Sequence, residues 1–300
     1  MTKLFVTLLA VCLFPLLIKA QTTNSFAAAK LQIEKIIATS GAETVGVAVY
    51  DTRHKQTLFI NEKINFHAAS TMKLPVMMEL FQQAAQKKIN LADSLTIKNN
   101  FFSIVDSSAY QLNKDDDSDV VLYQKIGQTI SIRALIERMI TRSSNLATNL
   151  LIEKAGAENV MKLMKKLGAN NMQVRRGVED NKAFRAGLNN TTTAEDLMIL
   201  LRTIAENKFL STRARAEMIA ILSRQEFNEG IPAGLPANTK VAHKTGSITK
   251  INHDAGIVYL PHRQPYVIVV LTRGLEDEKR AHQLIADISQ TVYQTIIQTK

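Results

Sequence analysis

Cysteine is almost missing from this chain: its 300 residues hold one, Cys12, inside an apolar run near the start. Once that run is removed, no thiol is left for a disulfide or a Cys-ligated metal. Tryptophan is absent and no Lys/Arg stripe alternates with aromatics, so no nucleic-acid partner is expected despite a formal net charge of +10. His54, His67, His243, His253, His262 and His282 form neither His-x-His nor His-Glu-x-x-His spacing. No metal site is therefore expected. A Gly-x-Ser-x-Gly elbow is also missing, which leaves a Ser-His-Asp hydrolase without a visible nucleophile site. No internal repeat is present.

What is present begins with a targeting pattern. Lys3 supplies a charge, Leu4 to Ile18 is almost unbroken apolar, and Ile18-Lys19-Ala20 offers a small residue for cleavage before Gln21. The run is short for a bilayer and no stop-transfer segment follows, so residues 1–20 read as a cleaved signal peptide, with no membrane insertion afterwards. Val11 is bulky where a lipoprotein box needs a small residue. The expectation is a periplasmic or secreted protein with a formal charge of +8, basic enough to meet anionic cell-wall or membrane surfaces. About 280 residues can bury a core without staples.

Periodicity divides the remaining chain. Ser25 to Ala38 has helical spacing, and strands at Thr44 to Tyr50 and Thr57 to Ile60 flank the turn Asp51-Thr52-Arg53-His54. Helices are predicted over Ser70 to Gln86, Ser131 to Ile140, Ser144 to Ala155, Ala157 to Leu167, Thr193 to Glu206 and Ser211 to Arg224. Thr193, with Glu195 and Asp196 after it, has the form of a capped helix start. Beyond the breaker-rich stretch 230–236, strands are predicted at Val241 to Lys244, Ala255 to Leu260 and Val267 to Thr272, then a helix from Glu276 to Ile297. This order implies an α/β domain, residues 21–69 and 229–300, whose antiparallel sheet is built from both termini, with an all-α domain, residues 70–228, inserted. Asp115-Asp116-Asp117-Ser118-Asp119 lacks the glycine and distal glutamate of a calcium loop and reads as a solvated loop.

Three short stretches carry the chemistry. Ser70-Thr71-Met72-Lys73 puts a hydroxyl and an amine one helical turn apart, the arrangement of a nucleophile and its proton acceptor. Ser143-Ser144-Asn145 opens a helix with hydroxyls and an amide, and Lys244-Thr245-Gly246-Ser247 ends a predicted strand with a cation and an unhindered backbone. Singly, Ser143 and Asn145 could be helix caps and Lys244 a surface cation. Together and in this order, Ser-x-x-Lys, Ser-x-Asn and Lys-Thr-Gly make a strong joint signal.

On these motifs the sequence resembles the penicillin-recognising serine enzymes, and within them the class A β-lactamases. The likeness extends from the strand pair before Phe66-His67-Ala68-Ala69-Ser70 through the Thr191-Thr192-Thr193 helix start to Lys244-Thr245-Gly246. It implies the same two-domain fold. It also implies that Ser70 is acylated, with its own N–H and that of Ser247 holding the oxyanion; that Lys73 takes the Ser70 proton while neutral, with burial and Lys244 lowering its pKa; and that Ser143 relays that proton to the leaving nitrogen. Asn145 would meet the substrate's side-chain amide, Lys244 and Thr245 its carboxylate, and Gly246 would leave the strand clear for substrate.

The loop before Thr191 departs from the family pattern. The family's deacylating glutamate stands in Glu-x-x-Leu-Asn, whereas Arg185 precedes Leu188-Asn189 here. Registered on Arg176-Gly177-Val178-Glu179, Glu179 becomes the candidate base, with Asn181 helping to hold a water; an ordinary loop carboxylate or a partner of Arg176 is the other reading. Asn190 occupies the place of an aspartate that closes the loop by an ion pair. The segment from Phe101 to Tyr123 is long for the family, with Ile104, Val105 and Tyr110 expected to border the cleft, and Arg273 is a candidate second carboxylate contact. His253-Asp254 reads as local structure beside the site.

The expected function is a monomeric serine β-lactamase acting on a small-molecule β-lactam through a Ser70 acyl-enzyme, with no cofactor. A D-alanyl-D-alanine carboxypeptidase or esterase-like hydrolase, acting on a peptidoglycan-derived peptide, has the same acylation machinery. An idle penicillin- or cell-wall-binding domain is the third reading.

Overall fold

The computed structural model describes residues 14–299. Cys12 and most of the expected signal peptide lie outside them. Five strands form the main sheet: β1 (Thr44–Asp51), β2 (Gln56–Ile60), β3 (Lys240–Ile248), β4 (Ile251–Tyr259) and β5 (Tyr266–Arg273). Their order is β2-β1-β5-β4-β3, all neighbours antiparallel, so strands from the two ends of the chain meet where β1 pairs with β5 along Thr44↔Arg273 to Asp51↔Tyr266.

The longer helices are α1 (Phe14–Ser40), α2 (Lys73–Ala85), α3 (Ile132–Thr141), α4 (Asn145–Ala155), α5 (Ala157–Leu167), α6 (Ala194–Ala205), α7 (Thr212–Leu222) and α8 (Glu278–Gln298). Alternation along the strands sorts the core into two layers. Val45, Val47 and Val49 of β1, with Ile268 and Val270 of β5, pack with Phe26 and Ile33 of α1 and with Leu284 and Ile288 of α8. Their neighbours Ala48, Tyr50, Val267, Val269 and Leu271 point the other way, into the helical body. The central strands are covered on both faces, which is why they read as continuous apolar runs. The α/β sheet with an inserted helical body is the fold class expected from the element order, but residues 70–228 are not all-α: Ser94–Thr96 pairs with Thr129–Ser131 and Phe101–Phe102 with Ala109–Tyr110, ladders too short to show a period in the sequence.

Two strand boundaries differ from expectation. β3 continues past Lys244 to Ile248, and β4 starts at Ile251 rather than Ala255. The added residues Asn252, His253 and Asp254 are almost fully buried. Buried polar residues break the apolar pattern that marks a strand, and tertiary partners set the strand instead.

Candidate active site

A cleft of about 240 Å³ opens where the helical body meets the sheet's edge strand β3, and Ser70, Ser143, Asn145, Thr245, Gly246 and Ser247 line it. Ser70 lies in a 3₁₀ turn, Ala69–Met72, that runs directly into α2, where Pro75 is tolerated because it falls in the first turn. The turn is held from below. The Ala69 N–H donates to His67 Nδ1 at 3.1 Å, Thr71 Oγ1 donates to the Ala68 carbonyl at 2.5 Å, and His253 Nε2 donates to the His67 carbonyl at 2.9 Å. Burial pushes His253 down to about 4 and also lowers His67, so His253 is a neutral brace while its Nδ1 accepts the Thr272 N–H.

Lys73 and Lys244 lie beneath the cleft floor, both fully buried. Lys73 Nζ is 2.5 Å from the Ser143 carbonyl, 3.1 Å from Ser143 Oγ and 3.0 Å from Asn145 Oδ1. Lys244 Nζ is 3.1 Å from the same Ser143 Oγ and 3.0 Å from the Thr245 carbonyl. One hydroxyl therefore joins the two amines. Burial lowers Lys73 to about 7 against the opposing pull of Asp117 and Glu179. Lys244 is held well below its ordinary value, first by burial and then by the neighbouring Lys73 charge, with Asp254 opposing. The expected influence of one cation on the other thus bears on Lys244, whereas desolvation alone depresses Lys73.

Glu179 does not line the cleft. It stands behind Asn145, half-buried, with Oε1 accepting from Asn145 Nδ2 at 3.0 Å and Oε2 accepting the Asn113 N–H at 3.1 Å. Burial is the main cause of its raised pKa; the two hydrogen bonds act against it, and Asp116 and Asp117 add to the rise. Asn145 is thus shared, its oxygen on Lys73 and its nitrogen on Glu179. Three non-glycine residues of this cluster have left-handed backbone, Ala69 (φ 45°), Ser143 (φ 57°) and Glu179 (φ 60°). Such strain costs about 1–3 kcal/mol per residue and concentrates where function demands it.

The loop that carries Glu179 closes without the ion pair. Asn190 Oδ1 accepts the N–H groups of Arg175 and Arg176 at 2.8 and 3.2 Å, and Nδ2 donates to the Arg176 carbonyl at 2.9 Å. Arg176 in turn donates to the carbonyls of Leu188 and Gly177 and to Asn189 Oδ1, and forms no ion pair with Glu179 among the described residues. Asn149, one turn beyond Asn145, accepts the Val178 N–H at 2.7 Å and donates to the Val178 carbonyl at 3.0 Å. Sequence reasoning passed over Asn149, although its i, i+4 spacing from Asn145 was the available signal.

Several expectations are corrected here. Asn181 is exposed and begins a short helix, Asn181–Arg185, so it does not share Glu179's surroundings. A Cβ on Gly246 would come within 3.1 Å of the backbone nitrogens of Ser70 and Thr71 and 3.2 Å of Ala69 Cβ, so glycine there also admits the Ser70 turn, at a point that lines the cleft. Ile104 and Val105 are exposed and, like Tyr110, do not line the cleft; Tyr110 hydrogen-bonds the loop at Val178, and Asp180 accepts from Ser103 Oγ and the Ile104 N–H. Arg273 is tied to Glu43 and Thr44 at the strand end. The acidic segment is only partly solvated: Asp117 and Asp119 are 5% and 2% exposed, Asp119 paired with Arg138 and Arg142 and Asp117 accepting the N–H groups that open α4. Strict alternation, buried at 117 and 119, was hidden by identical side chains.

The sequence matches the model of the Beta-lactamase enzyme family over residues 28–296. The chain belongs to that family. Among related proteins, a beta-lactamase of Bacteroides uniformis is 27% identical over 265 residues, 83% of this chain and 85% of that protein. Extended-spectrum beta-lactamase PER-1 of Pseudomonas aeruginosa is 26% identical over 284 residues, covering 88% and 86%. The solved structure of PBP-A superposes with a TM-score of 0.78 at 28% identity, covering 90% of this chain and 96% of that one. A PBP-A mutant in acyl-enzyme complex with penicillin G gives 0.77 at 27% identity, covering 92% and 97%. In this member of the beta-lactamase family, Ser70, Lys73, Ser143, Asn145 and Lys244 converge on one cleft, with Glu179 joined to it through a single amide.

Proposed function

We propose that the chain hydrolyses the β-lactam amide through a Ser70 acyl-enzyme, as a class A serine β-lactamase. The observation that carries this reading is the Asn145 amide, which hydrogen-bonds both the acylation amine of Lys73 and the carboxylate of Glu179. Neutral Lys73 accepts the Ser70 proton as Oγ attacks the carbonyl carbon. The ammonium so formed on Lys73 gives its added proton to Ser143 Oγ as the Ser143 hydroxyl passes its own proton to the departing lactam nitrogen and the C–N bond breaks, which returns Lys73 to neutral. The Ser70 and Ser247 N–H groups hold the oxyanion. Lys244, Thr245 and Ser247 receive the substrate carboxylate, whose charge favours the protonated form of Lys244 that burial disfavours. Glu179 then takes a proton from water as the water oxygen attacks the ester carbonyl carbon, and it returns that proton to Ser70 Oγ as the bond between the carbonyl carbon and Oγ breaks, releasing the product acid.

We further propose that the signal is cleaved near Gln21, that the protein acts in the periplasm or outside the cell, and that it acts as a monomer. The apolar run Leu4 to Ile18 supports export.

Labelling with a fluorescent penicillin tests the reading. Rapid labelling and rapid loss are expected, with no label in Ser70→Ala and a long-lived label in Glu179→Gln. A label that survives for hours on the unmodified protein would instead indicate a D-alanyl-D-alanine peptidase, and a chain that takes none would be an idle binding domain or an esterase.

A further inference from the structure

Asp117 stands out among the buried carboxylates because, among the described residues, no cation pairs with it, whereas its neighbour Asp119 takes both Arg138 and Arg142. Its Oδ2 accepts the N–H of Asn145 at 2.9 Å, the N–H of Leu146 at 2.8 Å and the Tyr123 hydroxyl at 3.1 Å, while Oδ1 accepts the Asp119 N–H at 3.0 Å. Ser144 already caps α4 by accepting the Ala147 N–H at 3.3 Å. Ser144 thus satisfies one orphan N–H of this helix end and Asp117 two others, but with a buried charge that a hydroxyl cap does not bring.

We propose that Asp117 is a positioning residue of the acylating site, fixing the backbone of Asn145 so that its one amide meets Lys73 and Glu179 together, and supplying the negative charge that Lys73 faces from the helical body. The inference rests on the Ser70 acyl-enzyme reading above. Two observations join it to the chemistry. Asn145 is held through its own N–H by Asp117 and through its side chain by the two reacting groups, so displacement at one end moves the other. The charged groups around Lys73 are Asp117, Glu179 and Lys244; its remaining partners, Ser143 and Asn145, are neutral. The two carboxylates stabilise the ammonium form, so removing one makes Lys73 easier to deprotonate.

The test is the rate of acylation by a fluorescent penicillin across pH 5.5 to 9, for the wild type, Asp117→Asn, Asp117→Glu and the exposed control Asp115→Asn. Asparagine keeps an acceptor for the two N–H groups and loses the charge. Its alkaline plateau should fall about tenfold, the scale of exchanging a charge-assisted hydrogen bond for a neutral one. Its acid limb, governed by Lys73, should move to lower pH. Glutamate should leave that limb in place, and Asp115→Asn should match the wild type throughout. If Asp117→Asn keeps both plateau and midpoint, with only its melting temperature lowered, Asp117 is a plain helix cap and the inference fails. If Asp117→Asn does not fold, a Glu variant whose acid limb moves as far as its plateau falls overturns the charge argument. A wild-type chain that takes no label at any pH overturns the acylating reading, and this inference with it.

Discussion

Lys73 should impose a pH-dependent cost on the fold that carries it, and replacing it with methionine should remove that pH dependence while abolishing acylation. The amine is fully buried, and burial lowers its pKa from 10.5 to about 7. Because the unfolded chain keeps the ordinary affinity, it binds more protons than the folded chain between these values, and folding at pH 7 pays about 4 kcal/mol for the difference. Methionine removes that cost but leaves two acceptors, the Ser143 carbonyl and Asn145 Oδ1, without their donor, at about 1–3 kcal/mol each. The two effects are of similar size at pH 7, so the chains should differ there by no more than about 2 kcal/mol, and the pH dependence is the sharper test. The sign of the pH dependence is fixed as well. Raising pH strips protons from the unfolded Lys73, so the wild type gains stability from pH 7 towards 10 and Lys73→Met does not. By pH 9 the wild-type deficit falls to about 2 kcal/mol, so the wild type should gain about 2 kcal/mol relative to Lys73→Met between pH 7 and pH 9. Urea unfolding of both proteins at pH 7 and pH 9 measures this. A difference between the two chains that is unchanged from pH 7 to pH 9, or that moves in favour of the methionine variant, would refute the reasoning.

Other substitutions separate acylation from deacylation. Gly246→Ala forces a methyl group to within 3.1 Å of the Ser70 and Thr71 nitrogens, so acylation should slow by about tenfold or more with the lifetime of any label little changed, read by label kinetics. Asn190→Ala leaves the Arg175 and Arg176 N–H groups unsatisfied in a buried site, which should cost about 1–3 kcal/mol in urea unfolding and slow loss of the label more than its formation. If Glu179 is the proposed base, deacylation needs its ionised form, and burial raises its pKa above 4.5, so the rate of label loss should fall as pH drops through a midpoint above 4.5; a midpoint below that value contradicts this role. Arg273→Ala should leave the KM for carboxylate-bearing penicillins within about twofold, since the guanidinium is committed to Glu43 and Thr44.

The order of elements was legible because most segments carry one period strongly. Thr193 caps α6 through the Asp196 N–H as its sequence context implies, and the runs at 44–50 and 267–272 are strands covered on both faces. What escaped the sequence is polar and buried. Asn252, His253 and Asp254 break an apolar pattern while lying inside β4, and Asp117 and Asn149 look like loop and helix-surface residues until their backbone partners are seen. A side chain that hydrogen-bonds distant backbone leaves no period behind. For the same reason the acylating residues, which cluster in short motifs, could be found, whereas the partners of Glu179 could not.

The neutral closure of the Glu179 loop has a chemical consequence. An aspartate at position 190 would bring another negative charge to the loop that presents Glu179 and would pull further on the Arg176 guanidinium. Asn190 makes three hydrogen bonds to the backbone of Arg175 and Arg176 with no net charge. The carboxylates that add to the rise of Glu179 are Asp116 and Asp117, in the segment whose Asn113 N–H donates to Glu179 Oε2. The same Asp117 also opposes the depression of Lys73. Burial sets the main part of both shifts, and the 113–119 segment supplies the one carboxylate that acts on both groups. That carboxylate accepts the N–H groups of Asn145 and Leu146 in the first turn of α4, beside the amide that joins Lys73 and Glu179.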